Sequence, residues 1–218
     1  MKKFLSATLL AATLLLPATS YAAQAEIILP TVEASSELSV MQALSQRQTS
    51  RNFVDEDLTP AQLAKILWAA NGINRADSQK RVNPVALGVY SVEVYAVTRE
   101  GIYLYDPDNH KLKLIVKGDH RSATTTGQGF VSKAAVNLVY VETPDAWKSA
   151  KRIPPNEDRI SCANIAVGAM VQSVALAAQT EGLGNCVRGS INHDAFKKIA
   201  RLSADKTVLL AQSVGVIK

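Results

Sequence analysis

Two arginines and two hydroxyls crowd into five residues at Arg47-Gln48-Thr49-Ser50-Arg51. Guanidinium forks match phosphate oxygens bidentately and hydroxyls add donors, so this stretch has the clearest capacity to hold an anion. A solvated polar loop has the same composition, and taken alone that is the commoner meaning. A second stretch, Glu181-Gly182-Leu183-Gly184-Asn185-Cys186-Val187-Arg188-Gly189, supplies glycines. Gly182 suits the left-handed end of a helix, and Gly189 would let backbone approach a planar ligand closely. It is not the dinucleotide fingerprint, because no strand is expected before it and the glycine spacing differs. A third stretch, Arg81 to Tyr90 with Pro84 and Gly88, says only that a loop precedes a strand. No nucleophile stands beside a base, so a serine or cysteine hydrolase has no local support. His110, His120 and His193 lack metal-ligand spacing.

These stretches need elements to position them. Ser39-Val40-Met41-Gln42 and Thr59-Pro60-Ala61-Gln62 both read as capping boxes, the second with proline at the first helical position. The first opens a short helix that runs into Arg47. The second opens a helix with a buried stripe of Leu63, Ile66, Leu67 and Ala70, ended at Asn71-Gly72. Val92 to Val97 reads as a strand, and residues 102–105 and 111–116 alternate around Asp106-Pro107-Asp108-Asn109 as a hairpin. Ala135 to Val141 and Val208 to Val216 are further strands. Between them lie a mobile, basic flap expected over Trp147 to Asp158 and a long helix from about Ile160 to Glu181. That helix is apolar around much of its circumference. A short helix is expected near His193–Leu202. Strands and helices are interspersed without regular βαβ alternation, which predicts an α+β fold with a central, mainly antiparallel sheet.

Lys2 and Lys3, the apolar run Phe4 to Leu16 and the small residues through Ala22 predict a Sec-type secretory signal over residues 1–22, with cleavage after residue 25 as the alternative. The expected location is therefore periplasmic or extracellular. An extended arm over residues 23–38 and one domain over residues 39–218 would follow. The net charge of +5 falls to +3 when the two signal lysines leave, and no basic stretch interleaves with aromatics. Nucleic acid is a poor partner on both counts. No segment beyond the signal is expected to cross a membrane. Cys162 and Cys186 are expected at opposite ends of the long helix, roughly 25–30 Å apart, against the about 7 Å a disulfide tolerates. Both are read as free or buried.

Taken in order, the three stretches resemble the nitroreductase family of FMN-binding α+β dimers. The resemblance runs from about Ser39 to Lys218. Arg47 to Arg51 with Phe53 corresponds to the family's Arg-x-Ser-x-Arg-like motif, and Leu63 to Ala70 to its Leu-x-x-Leu-Leu-x-Ala-Ala helix. Pro84-Val85-Ala86 corresponds to a Pro-Ser-Ala-like loop, Ala163 to Gly184 to the long helix ending in Gly-Leu-Gly, and Val214-Gly215 to the closing strand. Trp68 to Ile73 and Val89 to Glu93 look closest to the azoline-forming oxidases. Against that subgroup, the Lys-Tyr pair expected of it is absent from residues 141–160; a departure from the family more widely is Gly88, which stands where many nitroreductases have an asparagine that contacts the flavin.

The resemblance implies that Arg47 and Thr49 hold the FMN phosphate, Gln48 the ribityl region, and Arg51 the pyrimidine edge. Pro84, Val85 and Ala86 would line the flavin ring. Backbone at Val187, Arg188 and Gly189 would approach its reactive nitrogen. A homodimer packed on the long helix and a small-molecule substrate are also implied, with the flavin carrying the chemistry. A non-catalytic flavin-binding scaffold and an oxidase acting on a secreted peptide-like substrate are the rival readings.

Overall fold

Seven residues from Val136 to Glu142 are buried on both faces, and the sheet grows outward from them. Residues 25–33 and 35–218 are described in the computed structural model; the signal expected over residues 1–22 lies outside them. The strands are β1 (Glu26–Ile28), β2 (Ile73–Arg75), β3 (Lys80–Arg81), β4 (Val92–Val97), β5 (Gly101–Asp106), β6 (Lys111–Lys117), β7 (Val136–Glu142), β8 (Gly184–Arg188) and β9 (Thr207–Gly215). The helices are α1 (Val40–Gln46), α2 (Pro60–Asn71), α3 (Asn156–Thr180) and α4 (His193–Ile199). The main sheet runs β1-β6-β5-β4-β7-β9-β8, and β2 and β3 form a small ribbon. Every ladder in the main sheet is antiparallel, so the α+β expectation holds.

Period-two alternation splits the core into two layers. Val94, Ala96, Leu138 and Tyr140 face α2 and α3, while Tyr95, Val97, Val139 and Val141 face α4. The two capping boxes form as expected. The amides of Gln42 and Gln62 donate to Ser39 Oγ and Thr59 Oγ1, and each glutamine oxygen accepts the cap residue's own amide. In α2, Ile66 and Leu67 are wholly buried, and cutting either to alanine would cost about 2–5 kcal/mol.

Within the extended arm expected over residues 23–38, Glu26–Ile28 is the outermost strand, paired with Lys111 to Lys113, and Ile27 and Leu29 are buried. Nothing local marks so short a strand, which exists by pairing with β6. Other expectations need correction. The ribbon β2–β3 and the strand β8 were likewise not expected. The flap is shorter than residues 147–158: Trp147 is 1% exposed inside a 3-10 turn over Pro144–Ser149, and α3 begins at Asn156. Finally, α3 has 25 residues and a mean hydropathy of 1.7 over its most apolar window, which is long and apolar enough to cross a membrane. Its contacts are those of a core helix, with Ala163, Val167, Met170 and Val174 buried beneath the sheet. Cys162 lies within α3 and Cys186 within β8, both free.

Glu142 ends β7 with its carboxyl entirely buried, and among the described residues neither carboxyl oxygen nor the Trp147 indole nitrogen completes a well-formed hydrogen bond. Burial pushes the carboxyl above the usual carboxylate range. The Arg159 charge and the nearby Trp147 indole oppose this, and Asp205 adds to it. A carboxyl raised in the folded state is most favourable while protonated, so its contribution fades as pH rises through the folded value. Glu142→Gln should therefore raise the thermal midpoint at pH 8 by roughly 2–4 °C, about 1 kcal/mol, with little gain near pH 4. Scanning calorimetry across that range checks the sign; a loss at pH 8 would contradict it.

Candidate functional site

The polar loop after α1 is tied down backbone to backbone. Arg47 caps α1 by donating its amide to the Ala43 carbonyl at 2.9 Å, then turns the chain outward. Thr49 bridges in parallel with Asn185, and the Ser50 amide donates to the Asn185 carbonyl at 2.8 Å. Further on, Phe53 is buried and bridges Ile217, and the Val54 amide donates to the Val216 carbonyl at 2.9 Å. Arg47 is left half-buried, and Gln48, Thr49 and Arg51 are exposed. The Arg51 guanidinium lies 5.9 Å from the Phe130 ring, in a hollow shared with Phe53, Lys133 and Lys218.

This docking places the loop along the free edge of β8, the last strand of the sheet. The Asn185 carbonyl points off that edge to reach Ser50. Backbone direction alternates with period two, so Val187 also turns its amide and carbonyl off the edge, while Gly189, just past the strand, has its carbonyl taken by the Ile191 amide at 3.0 Å. Val187 is 43% exposed, and a Cβ added at Gly189 would meet nothing within 4 Å. The edge is open there.

Arg188 is different, because its side chain turns inward. Its guanidinium donates to Ser213 Oγ at 3.0 Å, the Thr124 carbonyl at 2.8 Å, Thr124 Oγ1 at 3.1 Å and Asn137 Oδ1 at 3.2 Å. All are neutral. Burial pushes its pKa down to about 10, with Cys186 opposing. It contributes rigidity beneath the edge. A second buried cation, Arg121, braces the loop's far end through Asp119 at 2.8 Å and Asp55 at 3.3 Å. Burial works against its charge, but the Asp119 and Asp55 contacts outweigh this and hold its pKa above the usual arginine range.

Pro84, Val85 and Ala86 sit elsewhere. Asn83 is buried and donates to the Ala69 and Ala70 carbonyls at 2.7 and 2.9 Å, capping the end of α2, while its own oxygen accepts from Ser173 Oγ at 2.6 Å. Pro84 is exposed, Val85 and Ala86 are half-buried, and the turn Ala86–Gly88 follows. Among the described residues no hydrogen bond joins this loop to Arg47–Arg51. The structure thus brings the first two stretches together and leaves the third on the neighbouring side of α3. Asn83, Asn185 and Arg121 position the site and were missed from sequence. An asparagine before proline was the one local signal, and it marks a turn without revealing its partners.

The tightness of the seam is testable. A Cβ at Gly184 would collide with Ile217 and lie 2.9 Å from Ser50 Cβ, closer than such contacts allow, at a cost of about 1–3 kcal/mol. Gly184→Ala should speed amide hydrogen exchange at Ser50 and Val54 by about tenfold or more, with exchange in β4 and β7 little changed. Unchanged exchange at Ser50 would show that the seam is loose.

The sequence model of the Nitroreductase family matches residues 44–216. A nitroreductase-like protein of Methanocaldococcus jannaschii is 26% identical over 85% of this chain and 94% of its own. The crystal structure of a nitroreductase-like protein from Ralstonia eutropha superposes with a TM-score of 0.83 at 32% identity, covering 90% of this chain and 91% of that one. The NADPH:FMN oxidoreductase of Vibrio harveyi, complexed with NAD+, shares the fold at a TM-score of 0.60 and 16% identity, over 82% and 69% of the two chains. With 173 consecutive residues, 44–216, under the family model, this chain belongs to the nitroreductase family.

Proposed function

We propose that this chain is an exported, FMN-dependent oxidoreductase that works as a homodimer and moves hydride between the flavin and a small organic substrate such as a nitro compound or quinone. The observation that carries the reading is the seating of Arg47–Arg51 beside an open sheet edge whose backbone groups point outward. Arginine and hydroxyl side chains suit a phosphate, and a free backbone amide at Val187 suits the polar edge of a planar ring. These residues fit a flavin mononucleotide: Arg47 and Thr49 at the phosphate, Gln48 along the ribityl chain, Arg51 toward the pyrimidine edge, and Val187 to Gly189 by backbone. Bound there, the flavin supplies the hydride chemistry, while the protein positions and tunes it.

Two copies are part of the proposal. The outer stripe of α3 carries Ile165, 74% exposed, with Gly168 beside it, and α1 presents Val40, Met41 and Leu44 to solvent. An apolar surface of this kind calls for a cover. A partner packed on α3 would bring its Pro84–Ala86 loop toward the Arg47–Arg51 loop, completing a site that one protomer leaves divided. The export reading rests on the N-terminal residues, and it would separate the enzyme from cytosolic nicotinamide donors. A quinone-linked or thiol reductant, or the organic substrate itself, then supplies the electrons.

Arg47→Ala should weaken FMN binding by roughly 10- to 100-fold, the loss of a charge-assisted contact worth about 1.5–3 kcal/mol. Quenching of free FMN fluorescence by titrated protein measures it, and unchanged affinity would overturn the phosphate assignment. For assembly, Ile165→Asp should convert a dimer to monomer in light scattering and release flavin at the same time. A monomeric wild type that retains FMN would refute the shared site.

A further inference from the structure

The turn after Pro84 and the segment joining β7 to α3 face each other across an open cleft of about 670 Å3. Leu87 and Val89 form one wall, and Lys151, Arg152, Pro154 and Asp158 stand on the other. Lys151 and Arg152 are both exposed, and neither forms an ion pair among the described residues, whereas the neighbouring Lys148 is paired with Asp145 at 2.7 Å. Asp158 is the one carboxylate in the lining, so the cleft carries an excess of positive charge. The cations hang from a fixed point, because Trp147 is buried just before them and α3 begins just after Pro155.

Leu87 carries two unfavourable features at once. Its φ of 54° lies in the left-handed region that L side chains avoid, and its side chain is 74% exposed. A backbone outlier and an exposed large apolar group at one residue are retained where the site uses them. The loop that holds Leu87 there is anchored through Asn83 to α2 and α3. Leu87 also follows directly on Pro84–Ala86, the residues assigned to the flavin ring, so the inference rests on that reading for its chemistry.

We infer that this cleft binds a small organic anion with a flat apolar body, its carboxylate or sulfonate on Lys151 and Arg152 and its body against Leu87 and Pro154. The enzyme then selects acidic organic substrates over neutral ones of the same shape. Two probes separate charge from shape: 4-nitrobenzoate and the neutral 4-nitrobenzamide, titrated calorimetrically into the full-length protein with and without added FMN. Wild type should bind the benzoate roughly three- to tenfold more tightly, as expected of two exposed charge contacts, and lose the preference at high salt. The double variant Lys151→Gln/Arg152→Gln should abolish the preference and leave the benzamide affinity within about twofold, since surface charges contribute little else. Leu87→Asn should weaken both probes without lowering the thermal midpoint, because asparagine accepts the left-handed backbone. Equal affinities in wild type, a preference that survives the double variant, or no binding of either probe would overturn the inference. An anion preference in protein that takes up no FMN would support the cleft and refute the flavin reading alone.

Discussion

The site depends on a seam between segments more than 130 residues apart in the chain. Residues 49–54 lie along β8 and the tail beyond β9, through the Thr49–Asn185 and Phe53–Ile217 bridges and the amides of Ser50 and Val54. Backbone pairing of this kind fixes direction as well as distance, so it sets where each side chain leaves the loop. Glycine makes the approach possible: at Gly184 and Gly215 a Cβ would press on Ser50 or on the Ala135 amide and Phe53. The arginines on the loop are then presented by a rigid edge, which is what a phosphate or ring needs if orientation is to be set before binding.

Beneath that edge the molecule accepts charges it has to satisfy locally. Arg188 is buried among neutral oxygens from β7, β9 and the turn at Thr124. Ser213 also donates to Asn137 Oδ1 at 2.6 Å, so the same oxygen serves two donors. Arg121 has carboxylates instead, and Asp55 couples it to Arg99 on the surface. A buried cation is costly unless every donor is met, and both guanidiniums are well supplied. Such networks hold a single packing more firmly than they add net stability. The unmet carboxyl of Glu142 stands apart, at the far end of β7 beside the segment that leads to α3.

The long helix links all of this. One face of α3 packs against α2 and the sheet, Gln179 reaches Gln46 of α1, and Ser173 holds Asn83. The Arg47–Arg51 loop and the Pro84–Ala86 loop are therefore tied to one rigid support. Gln212 extends the connection inward, accepting from Tyr140 and donating to the Val171 carbonyl and, at 3.4 Å, to Asn185 Oδ1.

Local chemistry was enough for several elements. The capping boxes at Ser39 and Thr59, the end of α3 at Gly182 with φ of 67°, the hairpin β5–β6 and the β-branched runs of β4 and β7 all follow from interactions within a few residues. The order of three loose motifs was enough to indicate the family. What sequence left open depends on contacts distant in the chain. Residues 184–188 and 26–28 have no alternation of their own and are strands because β9 and β6 pair with them. Trp147 looked like part of a flap until the fold buried it, and nothing local to Arg188 marked the burial of its side chain between β7 and β9. Residue types and spacing thus determined which chemistry this protein can offer. Tertiary structure decided where it is offered, because the partners that aim each group come from elements the sequence keeps far apart.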